Sequence, residues 1–188
     1  SVWWAFKTLY DAGKIYEGRK VLMYDTKFAT PVSKSEVTMD NDAYQTVTDP
    51  SAYVKFKLMP GQKCHNGEWE ISDNTYMLAW TTTPWTLPAN MALAVNPEME
   101  YVTVRMKDLD EKWILAKSRA EKVLEGENYE VLAECKGKEL AGIEYSGIMG
   151  EALKNVGEMV AEHGKVLLGD FVSDADGTGI VHIAPAYG

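Results

Sequence analysis

Apolar and polar residues alternate most cleanly at 53–58. Val54, Phe56 and Leu58 point one way and Tyr53, Lys55 and Lys57 the other, the pattern of a half-buried strand. Less regular apolar runs predict strands at Arg19–Tyr24, Glu36–Met39, Thr75–Thr82, Met91–Val95 and Tyr129–Cys135. Tyr101–Met106 and Lys112–Ala116 flank a polar turn and read as a hairpin. Val166–Val172 and Ile180–Ala184 are strands joined by the acidic turn Ser173–Gly179. Val2, Trp3, Phe6, Leu9 and Tyr10 recur at helical spacing, with Gly13 as the stop. Ser118-Arg119-Ala120-Glu121 reads as a capping box opening a short helix that runs to Gly126, and 151–163 is a third helical segment. Strands arrive in runs instead of alternating with helices. The expected class is therefore α+β and strand-rich, with a curved sheet or β-barrel core and a few peripheral helices.

One stretch breaks these patterns. Trp80-Thr81-Thr82-Thr83-Pro84-Trp85-Thr86-Leu87-Pro88-Ala89-Asn90 packs four threonines, two tryptophans and two prolines into eleven uncharged residues. Pro84 and Pro88 remove backbone donors and fix φ, so no strand continues normally through them. Residue types alone leave two readings open. The stretch is either a rigid, hydroxyl-rich wall for a small-molecule pocket, or simply a strand, its core contacts and its end. The second unusual stretch is Asp176–Gly188, DGTGIVHIAPAYG. Gly177 and Gly179 permit a tight turn or a close approach of backbone. His182 interrupts an apolar strand, where its ring either faces a pocket as donor or acceptor or is a satisfied structural group.

Composition narrows the classes. The 188 residues suffice for a domain with a sizeable core, and 46% hydrophobic with 25% charged residues is ordinary for a globular chain. No apolar run approaches the ~20 residues that span a bilayer, and the opening residues lack the features of a signal peptide. A net charge of −9 argues against a general nucleic-acid surface, DNA included. It leaves room for one nucleotide or a single-stranded end held in a pocket. Cys64 and Cys135 are too few for a disulfide framework and read as free thiols of a reducing, cytoplasmic compartment. There is no G-x-x-x-x-G-K-[ST] loop, G-x-G-x-x-G fingerprint or G-x-S-x-G elbow. His65, His163 and His182 form no H-E-x-x-H pair, so neither a metal nor a cofactor is expected.

The wording of the two unusual stretches goes further. WTTTPWTLPAN and DGTGIVHIAPAYG together resemble the signature segments of the editing domain inserted in isoleucyl-tRNA synthetases. The related valyl and leucyl domains carry a segment resembling T-T-R-P-x-T. Here Pro84-Trp85 follows Thr83 with no Arg, which points to the isoleucine type. SVWWAFKTLYDAGKIYEGRKV resembles the passage leading out of the catalytic Rossmann domain, and DPSAYVKFKL and GKELAGIEYSG also look like family segments. On this resemblance, 1–17 is a helix from the junction with that domain and 18–188 is the editing domain, shortened at its C-terminal end. A cysteine often found after the first strand is missing from YDTKFAT, which weakens any zinc site there. The family's second motif continues past the glycine matching Gly188 into acidic residues, one an aspartate that holds the substrate's amino group. The H-x-G-H and K-M-S-K-S motifs are absent, so no aminoacylation is expected.

The resemblance implies an aminoacyl-tRNA ester hydrolase. Its substrate would be valine misattached to tRNA(Ile), with pre-transfer editing a second route and isoleucine excluded. Isoleucyl-tRNA synthetase is the standard illustration of why a second sieve is needed, a missing methylene being worth only about 1–3 kcal/mol. Thr81, Thr82 and Thr83 would lie along the ester as the catalytic hydroxyls. Trp85 would form part of the wall, and Asn90 would fix the loop or the substrate. His182 matches the residue implicated in separating valine from isoleucine, with Ala184 beside it in the pocket. Gly177 and Gly179 are expected, on their own chemistry, to let the backbone approach the terminal nucleotide. The partners implied are the 3′ end of tRNA(Ile), valine and the remainder of a synthetase chain, with the molecule a monomer. Two alternatives stand beside this reading: a valyl- or leucyl-type domain or free-standing deacylase, and a non-catalytic RNA- or partner-binding module. The latter would need basic and aromatic residues on one face.

Overall fold

The computed structural model describes residues 1–38, 43–64, 69–148 and 163–185. They divide into two compact units, Ser1–Thr48 and Asp49–Gly188. The first unit holds helix α1 (Val2–Asp11) and two short antiparallel strands, β1 (Tyr24–Asp25) and β2 (Thr30–Pro31). Helix α1 follows its predicted spacing and ends at Gly13, which adopts φ +67°. The strand expected at Arg19–Tyr24 survives only at its end. Asp25 Oδ1 accepts from the backbone N–H groups of Lys27 and Phe28, at 2.7 and 3.0 Å, and draws the chain into a turn. Glu36–Val37 is not a strand either, because the Glu36 carboxylate accepts from both the N–H and the hydroxyl of Ser33. Met39 lies outside the described residues.

The second unit carries the remaining strands. They are β3 (Ala52–Lys57), β4 (Lys63–Cys64), β5 (Trp69–Glu70), β6 (Thr75–Thr81), β7 (Ala92–Val95), β8 (Glu100–Met106), β9 (Glu111–Ala116), β10 (Tyr129–Lys136), β11 (Glu144–Ser146), β12 (His163–Leu168) and β13 (Ile180–Ile183). One sheet has the order β10-β8-β9-β6-β3 and a second β11-β12-β7-β13, with β4 and β5 pairing by themselves. A bridge between Leu58 and Tyr145 joins the outer edge of β3 to β11. The predicted hairpin is β8–β9. β6 pairs with β9 in parallel, as β12 does with β7.

Both sheets contribute to one core, which includes Phe56, Met77, Ile114, Leu93, Val166 and Ile180. A smaller cluster lies on the other face of β8 and β9, where Val104, Met106 and Leu115 meet Ala120 and Leu124. Burial on both faces explains why β8 shows no alternation between apolar and polar residues.

Helix α2 (Lys117–Val123) covers that second cluster, but its predicted capping box does not form. Ala116 is the N-cap and makes no side-chain cap bond. Ser118 instead donates to Asp174 Oδ2 at 2.6 Å, and Arg119 Nε to Gly177 O at 2.9 Å. The residues that looked like a cap therefore clamp the 173–179 loop. The strand expected at Val166–Val172 stops at Leu168, where Gly169 N–H bonds Val95 O and the chain turns. Residues 151–162 of the expected third helix lie outside the described residues, and its last residue, His163, opens β12. Among the described residues no helix is long and apolar enough to cross a membrane.

Candidate functional site

Strand β6 delivers Thr81 to the edge of the core, and Pro84 then starts a 3-10 helix, Pro84–Ala89, with Thr83 as its N-cap. Proline suits this first helical position because its fixed φ matches and its missing N–H would have no partner there. The 3-10 turn brings Thr86 inward and leaves Trp85 outside. Across from it, β13 pairs antiparallel with β7, with His182 opposite Leu93 and Met91 N–H bonded to Ile183 O. That register brings His182 next to Asn90, which immediately precedes Met91 and β7.

The two unusual stretches thus meet at one cleft of about 370 Å³. Thr81, Thr82, Thr83, Gly177, Gly179, His182 and Ala184 all line it. Trp80, Thr86 and Thr178, from the same two stretches, join them, although the sequence assigned them no role. Asp176 lines the cleft as well and brings a carboxylate to it. Trp85 is not among the residues that line this cleft, and it is 70% exposed. Asn90 stands behind His182, one hydrogen bond back from the cleft.

The histidine ring is bonded at both nitrogens. Asn90 Nδ2 lies 3.0 Å from Ala92 O, an acceptor only, and this orients the amide. The same nitrogen lies 3.0 Å from His182 Nδ1, which must therefore accept. Nε2 carries the proton and donates to Thr86 Oγ1 at 2.7 Å, while the Thr86 hydroxyl donates to Thr83 O at 2.8 Å. Burial pulls the pKa of His182 below the ordinary histidine value, in keeping with a neutral ring. Neither nitrogen is free to take a proton from a water in the cleft. What His182 presents there is shape.

The threonines are arranged differently from one another. Thr81 is buried and its Oγ1 accepts from Thr83 N–H at 3.1 Å, with the two hydroxyls 3.3 Å apart. Thr82 and Thr83 are exposed. Thr178 is 1% exposed, and its Oγ1 is the buried side-chain polar atom without a hydrogen-bond partner among the described residues. Gly177 and Gly179 have positive φ, +67° and +72°, and an internal reason to be glycine. A Cβ at Gly177 would stand 2.9 Å from the Trp80 ring, and one at Gly179 would overlap Ala116 Cβ. The close approach they permit is therefore of the loop to β6 and β9. Tyr101, buried in the core, adds a 2.7 Å bond to Gly179 O.

Cys64 and Cys135 are free and buried, burial pushing their pKa up to about 11 and about 12, so neither is a thiolate at neutral pH. No cluster of three or more His, Cys, Asp or Glu that could hold a metal occurs among the described residues.

Comparison with known proteins gives the chain a family. The family described as "tRNA synthetases class I (I, L, M and V)" matches residues 1–133. Isoleucine-tRNA ligase of Clostridium tetani is 44% identical over 188 residues, covering 100% of this chain and 16% of that protein. The Mycobacterium tuberculosis ligase is 44% identical over 190 residues, covering 100% of this chain and 17% of its own length. The chain thus spans about a sixth of the curated relatives it matches. Among solved structures, that of GlLeuRS-CP1 superposes with a TM-score of 0.54 at 18% identity, covering 71% of this chain and 54% of that one. It shares the strand-rich fold. The chain belongs to the class I tRNA synthetases of the isoleucine, leucine, methionine and valine group.

Proposed function

We propose that the cleft is an editing site that hydrolyses the ester of valine misattached to tRNA(Ile) and excludes isoleucine. One observation carries the reading. Two stretches about 90 residues apart meet at a small cleft in which exposed threonine hydroxyls face an imidazole that has no free nitrogen. An aminoacyl ester is already activated, so a strong nucleophile is not required. Hydroxyls that orient the ester carbonyl, the ribose and one water can supply most of the acceleration. Thr82 and Thr83 are the accessible hydroxyls, and Thr81 braces Thr83. His182 closes the side-chain end of the cleft, where isoleucine's extra methylene would collide with a ring fixed on both sides. Asp176 adds a negative charge that favours the substrate's ammonium group.

The partner in this reading is the 3′ end of tRNA(Ile). The remaining tRNA contacts come from the rest of a cytoplasmic synthetase, because a chain of net charge −9 attracts phosphate poorly. No cofactor takes part. The test is single-turnover deacylation of Val-tRNA(Ile) and Ile-tRNA(Ile) side by side. The valyl ester should be hydrolysed faster, and Thr83→Ala should slow it by about 100-fold, the scale of losing one transition-state donor. Equal rates on the two esters, or a Thr83→Ala rate equal to that of the parent, would overturn the assignment.

A further inference from the structure

Tyr145 belongs to neither unusual stretch, yet it is the far end of the hydrogen-bond chain that reaches the cleft. It lies on β11, is fully buried, and donates its hydroxyl to Asn90 Oδ1 at 2.6 Å. The bonds then run in one direction. Tyr145 donates to Asn90, Asn90 to His182 Nδ1, His182 Nε2 to Thr86, and Thr86 to Thr83 O. The amide of Asn90 is held at three points, by Tyr145, by Ala92 O and by the imidazole. Turning it over would set its oxygen against Ala92 O and leave the Tyr145 hydroxyl without an acceptor.

We propose that Tyr145 is a positioning residue of this site, acting through Asn90 to hold His182 in the Nε2–H tautomer with its ring fixed against the cleft. This rests on the editing reading for its purpose, but not for its geometry. The fold makes a place for the tyrosine. Gly164 on β12 pairs directly with Tyr145, and a Cβ there would overlap the phenol ring. Phe56 meets the ring edge-on, with centroids 5.3 Å apart and planes at 81°. Burial raises the pKa of the hydroxyl well above the ordinary tyrosine value, so it stays a donor throughout the working range. The other ionisable side chain that lines the cleft with His182 is Asp176.

Protonating Nδ1 would place two donors face to face unless the Asn90 amide turned over. Tyr145 opposes that turn, so removing its hydroxyl should ease protonation of the ring. The experiment follows the imidazole nitrogens by NMR in the 15N-histidine-labelled chain. It has three histidines, so His182→Gln assigns the signal. The parent should show Nε2–H at His182. In Tyr145→Phe the Nδ1–H form should become detectable, and the titration midpoint should rise toward the ordinary value of about 6.5. Asn90→Ala, at a less buried position, should change the tautomer in the same direction. Adding Tyr145→Phe to it should then change nothing further, because the tyrosine acts only through the amide. A tautomer and midpoint unchanged in Tyr145→Phe would overturn the proposal, as would additive effects in the double variant.

Deacylation supplies the second arm. The preference for the valyl over the isoleucyl ester should fall by about tenfold in Tyr145→Phe as the ring loosens. A ring locked by Tyr145 in a chain that hydrolyses neither ester would remove the editing reading and leave the positioning role intact. Selective hydrolysis with an unaltered ring in Tyr145→Phe would do the reverse.

Discussion

Thr178 sets the terms at the scale of single residues. Its hydroxyl is buried at the cleft and unpartnered among the described residues, which costs the free protein about 1–3 kcal/mol in lost hydration. Valine has nearly the same shape and no hydroxyl. Thr178→Val should therefore be as stable as the parent in thermal melts, or more stable by up to about 1–2 kcal/mol. If the hydroxyl awaits a substrate group, the same variant should lose deacylation rate while gaining stability. A destabilised Thr178→Val would mean that the hydroxyl is satisfied after all. Such a residue cannot be read from sequence, where a threonine between two glycines looks like part of a turn. His182 was readable only in part. Its place at the site followed from the motif, but its lack of a free nitrogen depends on Asn90 and Thr86, which lie about 90 positions away.

Elements were legible where one face is wet and the other dry. β3 alternates, and the strand expected at 53–58 is observed one residue earlier, at Ala52–Lys57; β8 is buried on both faces, and the polar turn after it, not alternation, marked it as one arm of a hairpin. The errors have a common origin in local side-chain bonds that compete with regular structure. Asp25 and Glu36 accept from backbone N–H groups and hold turns beside two of the expected strands, and Ser118 leaves its expected cap to hold Asp174. The parallel pairings β6–β9 and β7–β12 carry no local signal at all, since the partners are far apart in sequence. The 173–179 loop shows what such long-range packing demands. At Gly179, φ of +72° and the contact with Ala116 both exclude a side chain. Gly179→Ala should lower stability by roughly 1–3 kcal/mol in urea unfolding. It should also displace the cleft wall, so that deacylation falls even at temperatures where the variant is folded. A stable, fully active Gly179→Ala would mean that the loop tolerates a shift away from β9.

At the scale of the molecule, the site and its support are drawn from one unit. Both core clusters lie between Val54 and Ile180, and every residue of the hydrogen-bond chain from Tyr145 to Thr83 falls inside Asp49–Gly188. Within the first unit, none of the residues of α1 is buried. By compactness the chain divides at Thr48. The core of a unit should protect its own chain, since proteolysis acts on segments that open locally at little cost. Limited proteolysis of the native protein should therefore cut first within residues 1–48 and leave a resistant product beginning near Asp49. That product should keep the cooperative unfolding transition of the parent and its selectivity for the valyl ester. Loss of the transition on removing residues 1–48 would show that the second unit depends on the first, and would move the functional boundary back toward the N-terminus.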